Sequence, residues 1–228
     1  PALRLVVCIP SGITEVEMRA VKESCDRVNG KEVYLIHEPM AAAIGANLPI
    51  DEPVGNMVID IGGGTTETAV ISLGGVVALE AIRVGSFDID AAIQSYVRRE
   101  HGVAIGERTA EQVKINVGSA LHELENPPED YAVNGRDLMT GIPRQIKVSY
   151  REIASALDKS ISKIEDAVLK ALEATPPELA TGAVDDDVVI SFEEPSNRAP
   201  KPLPKAERFF GLDVISYLKL FVVITDFC

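Results

Sequence analysis

Between residues 57 and 73 two strand-like runs meet at three consecutive glycines, a pattern that few chain arrangements satisfy. Met57-Val58-Ile59-Asp60-Ile61 is short and mostly apolar. After Gly62-Gly63-Gly64-Thr65-Thr66-Glu67, the apolar Ala69, Ile71 and Leu73 alternate with Thr68, Val70 and Ser72. Both flanks therefore read as strands, with the glycines at the tip between them. Consecutive glycines accept positive φ and leave no Cβ in the way, so backbone N–H groups can converge on an anion such as a phosphate. Asp60, just before the turn, stands where a carboxylate can hold a hydrated divalent cation on that phosphate. The residues alone leave a second reading open, a glycine-rich hairpin turn with no ligand, because tight turns also use glycine.

Two other glycine patterns are excluded. A Walker loop needs G-x-x-x-x-G-K-[ST] opening a helix, and no lysine follows these glycines. The dinucleotide fingerprint needs G-x-G-x-x-G between strand and helix, whereas position 67 is Glu67 and another strand follows.

A chain of 228 residues, 46% of them hydrophobic, has material for one or two packed domains. Its net charge of −13 argues against a nucleic-acid partner, because phosphate backbones call for basic patches. Cys8, Cys25 and Cys228 are odd in number and far apart, which fits a reducing compartment and neither a disulfide framework nor a zinc site. Cys8 and Cys25 are expected in the core. His37, His101 and His122 are too scattered for a metal cluster. No signal-peptide pattern opens the chain, which starts as if cut from something longer, and no apolar stretch reaches the roughly 18 residues of a membrane span.

Along the chain, a strand at 3–9 precedes a helix opened by a Thr14/Glu17 capping box, with Met18, Val21, Cys25 and Val28 on one face and Asn29-Gly30 at its end. A strand at 32–36 runs into Glu38-Pro39 and the small-residue helix Met40-Ala41-Ala42-Ala43-Ile44-Gly45. This alternation is the α/β pattern. Residues 48–55 read as a linker, and a third strand after the glycine hairpin, 76–84, makes a meander joined through Gly74-Gly75. Helices follow at about 88–100 and from a Thr109/Gln112 cap, with Val113, Val117 and Leu121 inward. Short strands around an Asn134-Gly135 turn suggest a small α+β insertion. Ser149 and Glu152 cap the longest helix, whose core face is Ile153, Leu157, Ile161, Ile164, Val168 and Leu172. Beyond Thr181 no periodic pattern joins the preceding fold.

Taken in order, Cys8-Ile9-Pro10-Ser11-Gly12-Ile13-Thr14, Glu38 to Gly45, Asp60 to Glu67, Gly106-Glu107-Arg108-Thr109-Ala110-Glu111 and Thr175-Pro176-Pro177-Glu178-Leu179 closely resemble the MreB family of bacterial actin homologues, the rod-shape-determining proteins. The likeness covers residues 3–180. Relatives sharing the phosphate hairpin more weakly are chaperones and sugar kinases. The resemblance implies an α/β, actin-like ATPase (ribonuclease H-like) fold, incomplete, with a small α+β insertion. Residues 1–52 would be part of a first actin-like domain. Residues 53–88 and 151–180 would be the core of a second, 89–150 an inserted subdomain, and 181–228 a tail unrelated to the family.

The resemblance also implies function. ATP and magnesium would be the cofactors. The monomers would polymerise into membrane-associated filaments at the cytoplasmic face of the cell membrane, with membrane-bound morphogenetic proteins as partners, and organise cell-wall synthesis. Asp60 would position magnesium through water, Gly62, Gly63, Gly64, Thr65 and Thr66 would hold phosphate oxygens, and Glu38 would orient the attacking water. Glu111 and Lys114 would contact the adenosine. Spacing alone favours a different reading, Glu38 as a helix cap and Glu111 with Lys114 as an exposed ion pair. His37 stands where the family usually has a second acidic residue, and Ser86-Phe87 where it usually has Gly-Asp. The family's first phosphate hairpin and its adenine-side glycine motif are not in this sequence, so the expectation is a gene fragment carrying one side of a nucleotide clamp. Three rival expectations stand beside it. The chain could be a kinase or chaperone-type ATPase of the same fold, or a non-functional remnant, and the aromatic-aliphatic run Phe209, Phe210, Tyr217, Leu218, Leu220, Phe221 and Val222 could be an interfacial membrane segment.

Overall fold

Strand β3 (Asn56–Ile61) is buried along its whole length, because helices cover both of its faces. The computed structural model describes residues 3–180, 189–193 and 219–225. β3 pairs antiparallel with β4 (Thr66–Ser72), and β4 with β5 (Gly75–Ile82), as the meander pattern predicts. The two-residue turn between β4 and β5 is Leu73-Gly74, both at positive φ (49° and 72°), rather than Gly74-Gly75.

Strand alternation sends Met57, Ile59, Ile61 and Val70 to one face, where they pack on Ile164, Val168 and Ala171 of the long helix α5 (Tyr150–Glu173). Val58, Ala69 and Ile71 point to the other face, against Ala43 of helix α2 (Glu38–Gly45) and Leu48 just beyond it. The alanines of α2 let its backbone lie close to the sheet.

Upstream, β1 (Leu3–Ile9) and β2 (Gly30–His37) form a two-stranded parallel sheet linked by helix α1 (Glu15–Arg27). The Thr14/Glu17 capping box is present: the Glu17 N–H donates to Thr14 Oγ1 at 3.3 Å, and the Thr14 N–H donates to Glu17 Oε2 at 2.9 Å. Cys25 is buried as expected, but Cys8 is exposed. On β1 the odd-numbered Leu5, Val7 and Ile9 turn inward and Arg4, Val6 and Cys8 outward, so period two places the thiol on the uncovered face. Val28 falls outside α1 as its C-cap and is likewise exposed.

A second layer comprises α3 (Ser86–His101), β6 (Val103–Ala104), α4 (Glu107–Val117), β7 (Tyr131–Asp137) and β8 (Pro143–Val148). Its core, including Ile93, Val97, Val113 and Val133, is completed by Ile153 and Leu157 from the N-terminal half of α5. The C-terminal half of α5 serves the main sheet, so one helix staples the two layers together. Its Ser149/Glu152 capping box forms as expected.

Three local expectations are corrected. Helix α4 starts after Gly106, not Thr109: the Ala110 N–H already bonds the Gly106 carbonyl at 3.0 Å, and the helix ends at Val117, so Leu121 is not part of it. Asn134-Gly135 lies inside β7 rather than at its turn. A Cβ at Gly135 would sit 2.3 Å from Val103 Cγ1, so this glycine serves the close approach of β6. The turn instead occupies 138–142, where the Met139 and Thr140 N–H groups donate to Asp137 Oδ1 and Gly141 has positive φ.

Residues 181–228, which periodicity leaves outside the fold, supply two strands. β10 (Lys219–Thr225) pairs parallel with the outer edge of β3, Phe221 opposite Val58, and β9 (Val189–Glu193) pairs with β10. A fully buried strand such as β3 leaves its backbone groups unpaired unless another strand covers that edge. Phe209, Phe210, Tyr217 and Leu218 of the run read as a membrane segment lie outside the described residues. No helix among the described residues is long and apolar enough to cross a membrane.

Candidate functional site

Residues directly opposite each other in an antiparallel ladder point to the same face. Asp60 pairs with Glu67, so both carboxylates project to the α2 side, at the end of the sheet where the glycines lie. Glu38, the first residue of α2, stands on that side too. It follows the N-cap residue His37, and no side chain caps this helix, so Glu38 is not the cap that spacing alone allows. Asp60 and Glu67 are only 5% and 2% exposed. Burial first, then the charges of Glu67 and Asp60, push the Glu38 carboxyl above its ordinary value. Desolvation first, then Glu38 and Asp60, likewise raise the Cys8 thiol at the end of β1.

Three carboxylates gathered at one end of a buried strand favour a cation nearby. Among the described residues no group of three ligating side chains could hold a metal ion directly. The donor set suits an ion kept at a distance by its own water, as magnesium usually is.

At the corner, the Gly62 N–H closes the turn onto the Thr65 carbonyl at 2.9 Å. The Ser86 and Phe87 N–H groups at the start of α3 donate to the Gly62 and Gly63 carbonyls at 2.9 and 2.8 Å. A trans peptide directs its C=O and N–H oppositely, so with those carbonyls held toward α3 the N–H groups of Gly63 and Gly64 point away from it. Among the described residues no acceptor meets either group. Nothing lies within 4 Å of where a Gly64 Cβ would be, so the tip is open. The Phe87 ring, 66% exposed, edges Gly63 from one side.

The other expected site residues divide. Thr65 is half-buried at the corner. Thr66 is fully buried, and its hydroxyl donates to the Val84 carbonyl at 2.7 Å, so that hydroxyl holds the turn against the end of β5 instead of facing a ligand. Lys114 does not pair with Glu111. Its Nζ meets Ser86 Oγ and lies 3.1 Å from Asp90 Oδ1, behind the corner and against the first turn of α3. Glu111 is half-buried on α4.

Two residues not singled out from the sequence belong to the site. Counting outward from the turn pairs position 60 with 67, so Glu67 could have been found from register. Ser11 had no such signal. Its N–H and Oγ donate to Glu67 Oε1 and Oε2, each at 2.8 Å, across a separation of 56 residues.

Replacing Glu38 with glutamine tests the crowding of charge. A carboxyl whose folded pKa is raised contributes stability that is fully present below its ordinary value of 4.5 and is lost as pH rises through the raised value. Glu38→Gln should therefore melt at a higher temperature than the parent at pH 7, with the two curves converging near pH 4. Equal melting across that range would show that the three carboxylates do not oppose one another.

A family model described as MreB/Mbl protein matches residues 1–192, past residue 180 where the motif likeness ends. The cell shape-determining protein MreB of Escherichia coli (strain K12) is 48% identical over 191 residues, 84% of this chain and 54% of that protein. The cell shape-determining protein Mbl of Bacillus subtilis (strain 168) is 44% identical over 188 residues, 82% of this chain and 56% of that one. Among solved structures, the crystal structure of MreB 5 of Spiroplasma citri bound to AMPPNP superimposes with a TM-score of 0.74 at 40% identity, covering 78% of this chain and 53% of its own. The ADP-bound crystal structure of the same protein gives 0.73 at 40% identity, covering 77% and 53%. The chain thus spans about half the length of the relatives it matches.

Proposed function

This chain belongs to the MreB/Mbl family, and we propose that it is the phosphate-gripping part of an ATP-binding cytoskeletal protein that polymerises into membrane-associated filaments and determines rod cell shape by organising cell-wall synthesis. Its fold is the α/β, actin-like ATPase fold of the MreB structures. The observation that carries the reading is the outward-facing pair of N–H groups at Gly63 and Gly64, beside Asp60 and Glu38. AMPPNP and ADP in the Spiroplasma citri structures are the kind of ligand such a corner suits.

In this reading the Gly63 and Gly64 N–H groups and the Thr65 hydroxyl donate to phosphate oxygens. Gly62 and Thr66 keep the turn in shape. Bound magnesium supplies positive charge on the phosphates, and Asp60 accepts hydrogen bonds from its water shell. Burial first, then Glu67 and Asp60, disfavour the ionised form of Glu38, and positive charge in a loaded site opposes the share due to the two carboxylates, which suits Glu38 to orient a water when the site is filled. Glu111 and Lys114 border the adenosine side, with Lys114 held by Ser86 and Asp90.

The partners in this reading are further copies of the protein, the cytoplasmic face of the membrane and membrane-bound morphogenetic proteins. The compact insertion between α3 and β8 carries no appended peptide-binding region, which favours a filament over a kinase or chaperone-type ATPase. Titration of the isotopically labelled chain with magnesium-AMPPNP into the millimolar range should shift the amide resonances of Gly63, Gly64 and Thr65 first. No response at those three residues defeats the reading. Nucleotide-dependent pelleting of protein carrying this segment separates the filament from the enzyme alternatives.

A further inference from the structure

A carboxylate as buried as Glu67 needs partners for its charge, and one residue provides two of them. Ser11 donates its N–H to Oε1 and its hydroxyl to Oε2, both at 2.8 Å. The loop that carries Ser11 is short and tied at both ends. Its Ile13 N–H bonds the Pro10 carbonyl at 3.2 Å, and Thr14 caps α1 through Glu17. Glu67 in turn faces Asp60 across the ladder and lies one residue from Thr66, which anchors the glycine turn to Val84. An unbroken chain of bonded groups therefore runs from the start of α1, through Ser11 and Glu67, to the corner that presents the Gly63 and Gly64 N–H groups.

The geometry assigns Ser11 the role of a positioning residue, which holds the Glu67 carboxylate and through it couples the loop between β1 and α1 to occupancy of the glycine corner. The assignment rests on the phosphate reading of that corner. A serine that merely satisfied its own loop would bond within residues 10–14, but both donors leave the loop for a strand of another sheet. Short bonds to an ionised acceptor are also the stronger kind, and a pair from one residue fixes the direction of the carboxylate as well as its place.

The test uses the labelled chain with magnesium-AMPPNP as probe, comparing the parent with Ser11→Ala and Ser11→Thr. In the parent, resonances of Gly12 and Ile13 should shift together with those of Gly63 and Gly64. Ser11→Ala should keep the response at the corner, lose it at Gly12 and Ile13, and, without ligand, exchange its residue-11 amide proton about tenfold faster, the size expected when a bond to a charged group is lost. Ser11→Thr, which keeps a hydroxyl, should restore both. Unchanged coupling in Ser11→Ala, failure of Ser11→Thr to restore it, or a parent that responds at the corner alone would each overturn the assignment and leave the functional reading standing. A parent silent at the corner would overturn both.

Discussion

Gly85→Ala is expected to dismantle the glycine corner. A Cβ at residue 85 would lie 2.6 Å from both the Gly62 and the Gly63 carbonyl oxygens, and neither can yield, because each accepts a bond from the first turn of α3. Gly85 has φ of −151°, an extended conformation that any residue adopts, so its requirement is one of space and not of backbone freedom. The first turn of α3 would have to lift away. Overpacking costs about 1–3 kcal/mol and two lost backbone bonds about 1 kcal/mol each, together roughly 3–5 kcal/mol. That is a large share of the about 5–15 kcal/mol that keeps a domain folded. Denaturant unfolding should show the loss, and the response of Gly63 and Gly64 to magnesium-AMPPNP should vanish with it. Gly64→Ala is the control: nothing lies within 4 Å of its new methyl group, so stability should change by about 0.5 kcal/mol or less. If the two variants unfold alike, the seat of α3 on the corner is not what orients it.

Asp60→Ala is expected to abolish the magnesium dependence of nucleotide binding. A unit charge acting on a divalent ion through one water, at roughly 4–5 Å and an effective dielectric of about 20, contributes about 3–4 kcal/mol per unit of ionic charge, well over tenfold in affinity. The comparison is the affinity for AMPPNP with and without magnesium, in the parent and in the variant. The parent should gain more than about tenfold from the ion and the variant close to nothing. Removing this charge also leaves only burial and Glu67 to raise the Glu38 carboxyl, so the decline of stability with rising pH should become shallower. A variant that keeps its full magnesium dependence would strip Asp60 of the role.

Much of the fold was legible because it is written in short stretches. The Thr14/Glu17 and Ser149/Glu152 boxes need only neighbours three residues apart, and the buried face of α5 follows from helical periodicity. Reading failed where a local signal served a distant partner. Asn134-Gly135 has the composition of a hairpin turn, yet Gly135 is a glycine because β6 passes over it. Thr109 has the composition of a cap, yet Gly106 is the N-cap and α4 begins at Glu107. The segment 219–225 has no periodic link to what precedes it, and its place is set by the open edge of β3.

The site divides in the same way. Local sequence determined the presence of a Cβ-free turn after a strand, an acidic residue just before it, and Glu38 at the head of a small-residue helix, since each depends only on adjacent residues and their backbone preferences. Tertiary structure decided that α3 would pin the two carbonyls and so turn the Gly63 and Gly64 N–H groups outward. It also decided that Thr66 and Lys114 would face inward, and that Ser11 would reach Glu67. Those outcomes depend on which distant segments pack together, because the direction of a donor is set by whatever holds the opposite end of its peptide or side chain.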